Sequence, residues 1–253
     1  MRAILTYHSL DTTGSPISVS PEVFRAHCEF LASGRVPVVP LETLVVNPPA
    51  GDAIALTFDD GFVNFETHAA PLLEQHALPA TLFVVSDHVG GHNDWGGRSA
   101  GNVPHLPLLS WPALSALQNR GVKIGAHSRR HRPLAQLRAD ELADEVQGSV
   151  VRIESALGCR PAAFAYPYGA VSASAAAAVR GVCPLACTTA LRALGSTEDP
   201  VLLPRVDMYY FRERGQLEAW GTAAFRSRLW LRGQGRRLRQ LAAGAARNRD
   251  HAA

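Results

Sequence analysis

The chain has 253 residues, 47% of them hydrophobic and 19% charged, with a formal net charge of +3. That balance supports a large buried core and excludes a disordered or collagen-like chain, while four cysteines without a C-x-x-C pair exclude a disulfide-stapled scaffold and are expected to stay reduced. The charge is unevenly spread: residues 1–225 carry net −4, and residues 226–253, with eight Arg and one Asp, carry net +7.

The opening residues Met1 to His8 turn polar too soon for the apolar core of a signal peptide. The longest weakly polar run, residues 162–179, is broken by Pro167 and Gly169 and is no membrane span. A cytoplasmic protein is therefore expected.

In chain order, Ile4–Tyr7 predicts a strand with His8 at its end, and Ser20-Pro21 supplies an N-cap and a first-turn proline for a helix. Ile54–Phe58 predicts the next strand, ending in Asp59-Asp60-Gly61, and Thr81–Val85 another. Residues 86–109 form a long loop rich in Gly, His and Asn, expected to cover a site. Its Trp95 suits either the apolar face of a sugar ring or simple packing of the loop. Ser110 before Trp111-Pro112 opens a helix, Val122–Gly125 forms a strand ending at His127, and residues 139–157 form a long helix stopped by Gly158. Ala163–Tyr166 and Leu185–Thr189 complete the strands. This alternation predicts an α/β fold with a mainly parallel sheet, open or closed as a barrel.

The polar residues gather at strand ends, where side chains from several strands converge. His127 and His131, four apart, together with Asp60 from another strand end, form a three-ligand set for one divalent ion, with zinc the expected metal. Asp59 stands next to Asp60 but points elsewhere, because neighbouring side chains diverge, so it is free to act as a general base.

Thr57-Phe-Asp-Asp-Gly61 and His127-Ser-x-x-His131 resemble the first two motifs of the polysaccharide deacetylases, carbohydrate esterase family 4, and Tyr166-Pro-Tyr-Gly169 resembles the third. The resemblance covers about residues 1–210. It implies a distorted (β/α) barrel and hydrolysis of an N-acetyl group on an amino sugar, with Asp59 as base, Asp60, His127 and His131 as metal ligands, and the Tyr168 backbone N–H at the oxyanion. Two departures follow. Ala165 stands where many members carry an arginine, so Arg205 is the candidate to orient the base. No C-terminal Leu-x-His strand is evident, whereas Leu5-Thr-Tyr-His8 offers one at the N-terminus; this matches a rearranged branch and makes His8 the expected general acid, across the cleft from Asp59.

The expected organisation is a catalytic domain over residues 1–225 and a basic tail over 226–253. An N-acetylated sugar or glycan precursor is the expected partner, with a different amide (an N-formyl sugar or a non-sugar amide) or a non-catalytic glycan-binding domain as the alternatives. The tail, with Leu229, Trp230, Leu231, Leu238 and Leu241 among its arginines but Gly233 and Gly235 interrupting it, fits either a solvated tail or contact with the inner face of an anionic membrane. No nucleic-acid module is expected.

Overall fold

The computed structural model describes residues 1–95 and 102–250, with side chains in the last helix as far as Arg236 and at Leu238. Its centre is a closed barrel of parallel strands in the order β1 (Arg2–Tyr7), β4 (Ala53–Phe58), β5 (Ala80–Val84), β6 (Lys123–Ala126), β7 (Ala163–Ala165), β8 (Leu185–Leu191) and β9 (Leu203–Asp207). Pairing of Leu5 with Val206 and of Thr6 with Asp207 closes the ring. Two short segments, β2 (Ser9–Leu10) and β3 (Ser18–Val19), pair outside it.

Side chains on a strand alternate between faces, so a barrel strand divides its residues between an outer layer against helices and an inner layer. On β4 the outer residues Ile54, Leu56 and Phe58 join the main core, with Phe58 stacked on Tyr7 and edge-on to Phe65. The inner residues Ala53 and Ala55 join a second cluster with Ile4, Phe83, Ala163, Ala165, Leu185, Cys187 and Leu203. The lower barrel is thus filled by small residues, four Ala and Cys187, interleaved with the larger Ile4, Phe83, Leu185 and Leu203. Helix α2 (Leu41–Val46) adds Leu41 and Leu44 to this cluster and plugs the end where the strands begin.

The remaining helices wrap the outside. α1 (Pro21–Ala32) starts at Ser20, whose hydroxyl accepts from the Val23 N–H, and α4 (Trp111–Asn119) starts at Ser110 in the same way. α5 (Ala139–Leu157) ends on Gly158 at φ 69°, the left-handed stop its sequence predicts. α3 (Ala70–Gln75) and α6 (Ala173–Arg180) complete the layer. α7 (Ala223–Asp250) runs through Gly233 and Gly235 without a break, against the expectation that these glycines interrupt it. Tertiary packing explains Gly233: a Cβ there would lie 2.7 Å from the Leu191 carbonyl oxygen. The four cysteines are free.

The inner layer tolerates no extra atom at Gly125, where a Cβ would come within 2.4 Å of the Phe83 ring and 3.1 Å of the Ala163 carbonyl. Gly125→Ala is expected to lower the unfolding free energy by about 1–3 kcal/mol, the usual cost of overpacking. Urea unfolding of the two chains checks this; equal midpoints would show that the interior yields.

Candidate active site

The apolar inner layer ends upward in a polar one. Continuing the alternation carries β1 through Ile4 and Thr6 to His8, β4 through Ala55 and Thr57 to Asp59, β6 through Gly125 to His127, and β9 through Leu203 and Arg205 to Asp207. Buried contacts bear this out. Arg205 donates from Nη1 to Thr6 Oγ1 at 3.0 Å and to Asp59 Oδ1 at 2.6 Å, from Nη2 to Asp59 Oδ2 at 2.6 Å, and from Nε to the Thr188 carbonyl at 3.0 Å. The guanidinium is 1% exposed and the Asp59 carboxylate 2%. Burial alone would raise the Asp59 pKa, but the charges of Arg205, His127 and His8 and the Arg205 hydrogen bonds hold it well below the usual carboxylate range. Asp59 therefore stays anionic and fixed in orientation.

Asp60 is turned away from Asp59 by a backbone at φ 72°, a conformation costly for a residue with a Cβ. Its Oδ1 lies 3.4 Å from both His127 Nε2 and His131 Nε2, and the ligand atoms of all three residues fall within 4.8 Å of one another. Three features test the fit of a metal ion. Asp60 Oδ1 is buried with no hydrogen-bond partner. His127 Nδ1 donates to the Ala165 carbonyl at 2.7 Å, so its Nε2 carries the lone pair aimed at the cluster. Finally, O···N separations of 3.4 Å suit ligands about 2.0–2.1 Å from a shared tetrahedral ion. The residues fit one divalent cation.

The loop carrying both histidines is held from below. Buried Glu145 on α5 accepts from the backbone N–H of Arg129 at 3.1 Å and of Arg130 at 2.9 Å, and Ser128 Oγ accepts from His131 N–H at 2.9 Å. Ser128 and His131 sit at φ 63° and 58°. Tyr168 has φ 58°, in a turn whose Gly169 admits no side chain because Thr189 Oγ1 would lie 2.0 Å from its Cβ. The Tyr168 ring stands edge-on to His131 at 4.5 Å, and Tyr168 lines the cleft. His8 stands beside Asp59, with Nε2 3.6 Å from Oδ2, rather than across the cleft from it.

These side chains line a cleft of about 390 Å³. Residues 96–101 of the long loop lie outside the described residues; its two described arms fold back over the cleft, bringing Asn93, Trp95 and Val103 to the wall. Trp95 lies 4.5 Å from the His131 ring. Sequence reasoning did not single out Asp207, Arg236 or Thr189, which also line the cleft. Asp207 was legible from the parity of β9, two residues beyond Arg205; Arg236 was not, since α7 reaches the cleft only through tertiary packing.

The family model for polysaccharide deacetylase matches residues 47–182, which contain both aspartates, both histidines and the Tyr168 turn. The chain belongs to the polysaccharide deacetylase family. It is 25% identical over 171 residues to YxkH of Bacillus subtilis (strain 168), which bears the family's name, and 24% identical over 144 residues to a chitin deacetylase of Pestalotiopsis sp. These matches span 66% and 57% of this chain, and 56% and 43% of the respective relatives, so the chain spans about half the length of the curated relatives it matches. Among solved structures, the barrel resembles IcaB from Ammonifex degensii (TM-score 0.71, 22% identity, 87% of this chain and 96% of that one). It also resembles the Streptococcus pyogenes deacetylase PplD in complex with acetate (TM-score 0.69, 22% identity, 81% and 91%). Both likenesses bear out the distorted (β/α) barrel.

Metal affinity in this deacetylase-family cleft is expected to be strongly pH-dependent, because a protonated imidazole cannot ligate. Burial lowers the His127 pKa, but its contact with Asp60 and the charges of Asp59 and Asp60 outweigh burial and raise it. Burial drives His131 down to about 3, so His131 is neutral throughout. Zinc affinity should climb by roughly a factor of ten per pH unit from about pH 6 until His127 is deprotonated, above the ordinary histidine value. Competitive titration with a chromophoric chelator checks this; a flat profile across about pH 6 to 8 would refute it.

Proposed function

We propose that the chain hydrolyses the N-acetyl group of an amino sugar in a glycan or glycan precursor, with one divalent ion, zinc in the first instance, held by Asp60, His127 and His131. The observation that carries this reading is the division between the two adjacent aspartates. Asp59 is clamped by Arg205 and kept anionic inside the barrel; Asp60 is swung outward, with its Oδ1 lacking a donor, onto two imidazoles.

When bound, the ion supplies Lewis acidity, polarising the acyl oxygen and making water more acidic. The protein groups do the rest. Asp59 accepts a proton from the attacking water, and Arg205 keeps both carboxylate oxygens in the orientation this needs. The Tyr168 N–H stabilises the negative charge that grows on the acyl oxygen. In this reading His8 gives a proton to the departing amine, and its Nε2, 3.6 Å from Asp59 Oδ2, supports a short route for the proton collected by Asp59. Trp95 and Tyr168, each with its ring 4.5 Å from that of His131, present aromatic surface to a pyranose ring. The name of the chitin deacetylase relative supports an N-acetylated sugar as the substrate class.

Asp60→Ala is expected to abolish metal binding, whereas Asp59→Asn should keep the metal and lose most turnover. Asp59→Asn also leaves Arg205 a buried, unpaired cation, so a loss of stability of about 3–5 kcal/mol is expected with it, and rates must be compared on folded protein. Metal content, thermal midpoint and acetate release from acetylated chitooligosaccharides, read on the same samples, decide the matter. Asp59→Asn without metal, or with normal turnover, would sink the division of labour. Release of formate from an N-formyl sugar in place of acetate would change the acyl group but not the site.

For His8→Ala, metal content should be preserved and amide hydrolysis should fall by roughly 10²–10⁴-fold, with a smaller fall for an ester whose alcohol leaves more readily. Parallel assays on an N-acetyl and an O-acetyl substrate make the comparison. Equal losses would mean that His8 positions the substrate or Asp59 and donates no proton.

A further inference from the structure

Helix α7 has two faces with opposite fates. Phe225, Leu229, Gly233 and Arg236, spaced four, four and three apart, form the docked face. Phe225 stacks on Phe211 and touches Trp220; Leu229 is buried; Gly233 lies against the Leu191 carbonyl; and Arg236 donates to Asp207 Oδ2 at 3.2 Å, on the wall of the catalytic cleft. The helix is therefore fixed to the barrel and fixed in rotation.

The opposite face carries Trp230, Leu231 and Leu238, exposed by 63%, 62% and 66%. At about 100° per residue these three positions lie within about 100° of arc, so they form one stripe pointing away from the barrel. Apolar side chains so exposed are costly in water unless something covers them. Arg226 and Arg232 are exposed on the same helix and Arg228 is half-buried, within a segment of net charge +7. A stripe of Trp and Leu flanked by arginines matches a surface that is apolar at depth and anionic at its face. No described helix is long and apolar enough to cross a membrane, so the match is to a surface and not to a span.

We propose that α7 is an interfacial helix that lays the protein on an anionic lipid bilayer, with Trp230, Leu231 and Leu238 entering the headgroup region. Thr189 and Arg236 belong both to the catalytic cleft and to a groove along α7 lined by Leu229 and Trp230. Trp230 thus links the lipid-facing stripe to a groove that shares Thr189 and Arg236 with the cleft, a path along which a substrate attached to a membrane component would reach it.

The test is co-sedimentation of the full chain with vesicles of neutral phosphatidylcholine alone or mixed with anionic phosphatidylglycerol, at low and high salt. The expected result is binding that requires the anionic lipid and weakens with salt. Trp230→Ser combined with Leu231→Ser should reduce the affinity about tenfold or more, through lost apolar burial. Arg228→Gln should reduce it about fivefold. Circular dichroism and thermal melting should match the unaltered chain, because all three side chains lie off the docked face. Equal binding to both vesicle types, unchanged affinity in the Trp230/Leu231 variant, or binding to an oligonucleotide with none to vesicles would overturn the proposal. Vesicle binding is measured without turnover, so its outcome is independent of whether amide hydrolysis is confirmed.

Discussion

The ion pair between Asp59 and Arg205 is the constraint on which the upper barrel depends. Two opposite charges, both almost fully removed from water, are tolerable only when each satisfies the other and the remaining donors are used. Arg205 also donates from Nε to the Thr188 carbonyl and from Nη1 to Thr6 and Thr57, so a single side chain ties together β1, β4, β8 and β9. Because the carboxylate is bound at both oxygens, it cannot rotate toward His127 and His131. The adjacent Asp60 is left to serve them alone.

That separation is bought with backbone strain, and the strain is localised. Of the five non-glycine residues at positive φ among the described residues, four are Asp60, Ser128, His131 and Tyr168, all of them in the cleft or in the loop that carries its histidines. Such conformations persist only where surrounding contacts over-determine them. Glu145 and Ser128 hold the histidine loop by its N–H groups, and the Thr189 hydroxyl donates to the Tyr168 carbonyl at 3.3 Å. The ion pairs of Arg129 and Arg130 with Asp144 on α5 add support from the solvent side.

Much of this was legible in the sequence, because alternation and the residues at strand ends are local signals. The strands at Ile4, Ile54, Thr81, Val122, Ala163 and Leu185 all exist, and Asp60, His127 and His131 do converge. Strand β9 was less visible: Pro204 at its second position and the charged Arg205 at its centre disguise a buried strand, even though Arg205 itself was singled out. The charge is there because it answers Asp59, and no local pattern reports a partner 146 residues away. The course of α7 was hidden for a related reason. Two glycines in a row of arginines lack helix propensity, and only the Leu191 carbonyl shows why Gly233 is kept. The position of His8 beside Asp59 follows from the register of β1 on β4, which pairs Tyr7 with Phe58, again a long-range fact.

The distance in sequence between Asp59 and Arg205 also bears on how the protein comes into being. A growing chain exposes Asp59, Asp60, His127 and His131 well before β9 has been made, and at that stage β1 and β8 lack the neighbour that closes the ring. Contacts between distant parts of a chain form late, since the loop between them must be ordered first. Until Arg205 arrives, Asp59 has no fixed counter-charge and the inner layer has no reason to hold its shape. A nascent or truncated chain can therefore carry Asp60, His127 and His131 and still lack the clamp that fixes Asp59. The site is thus complete only in molecules whose barrel has closed.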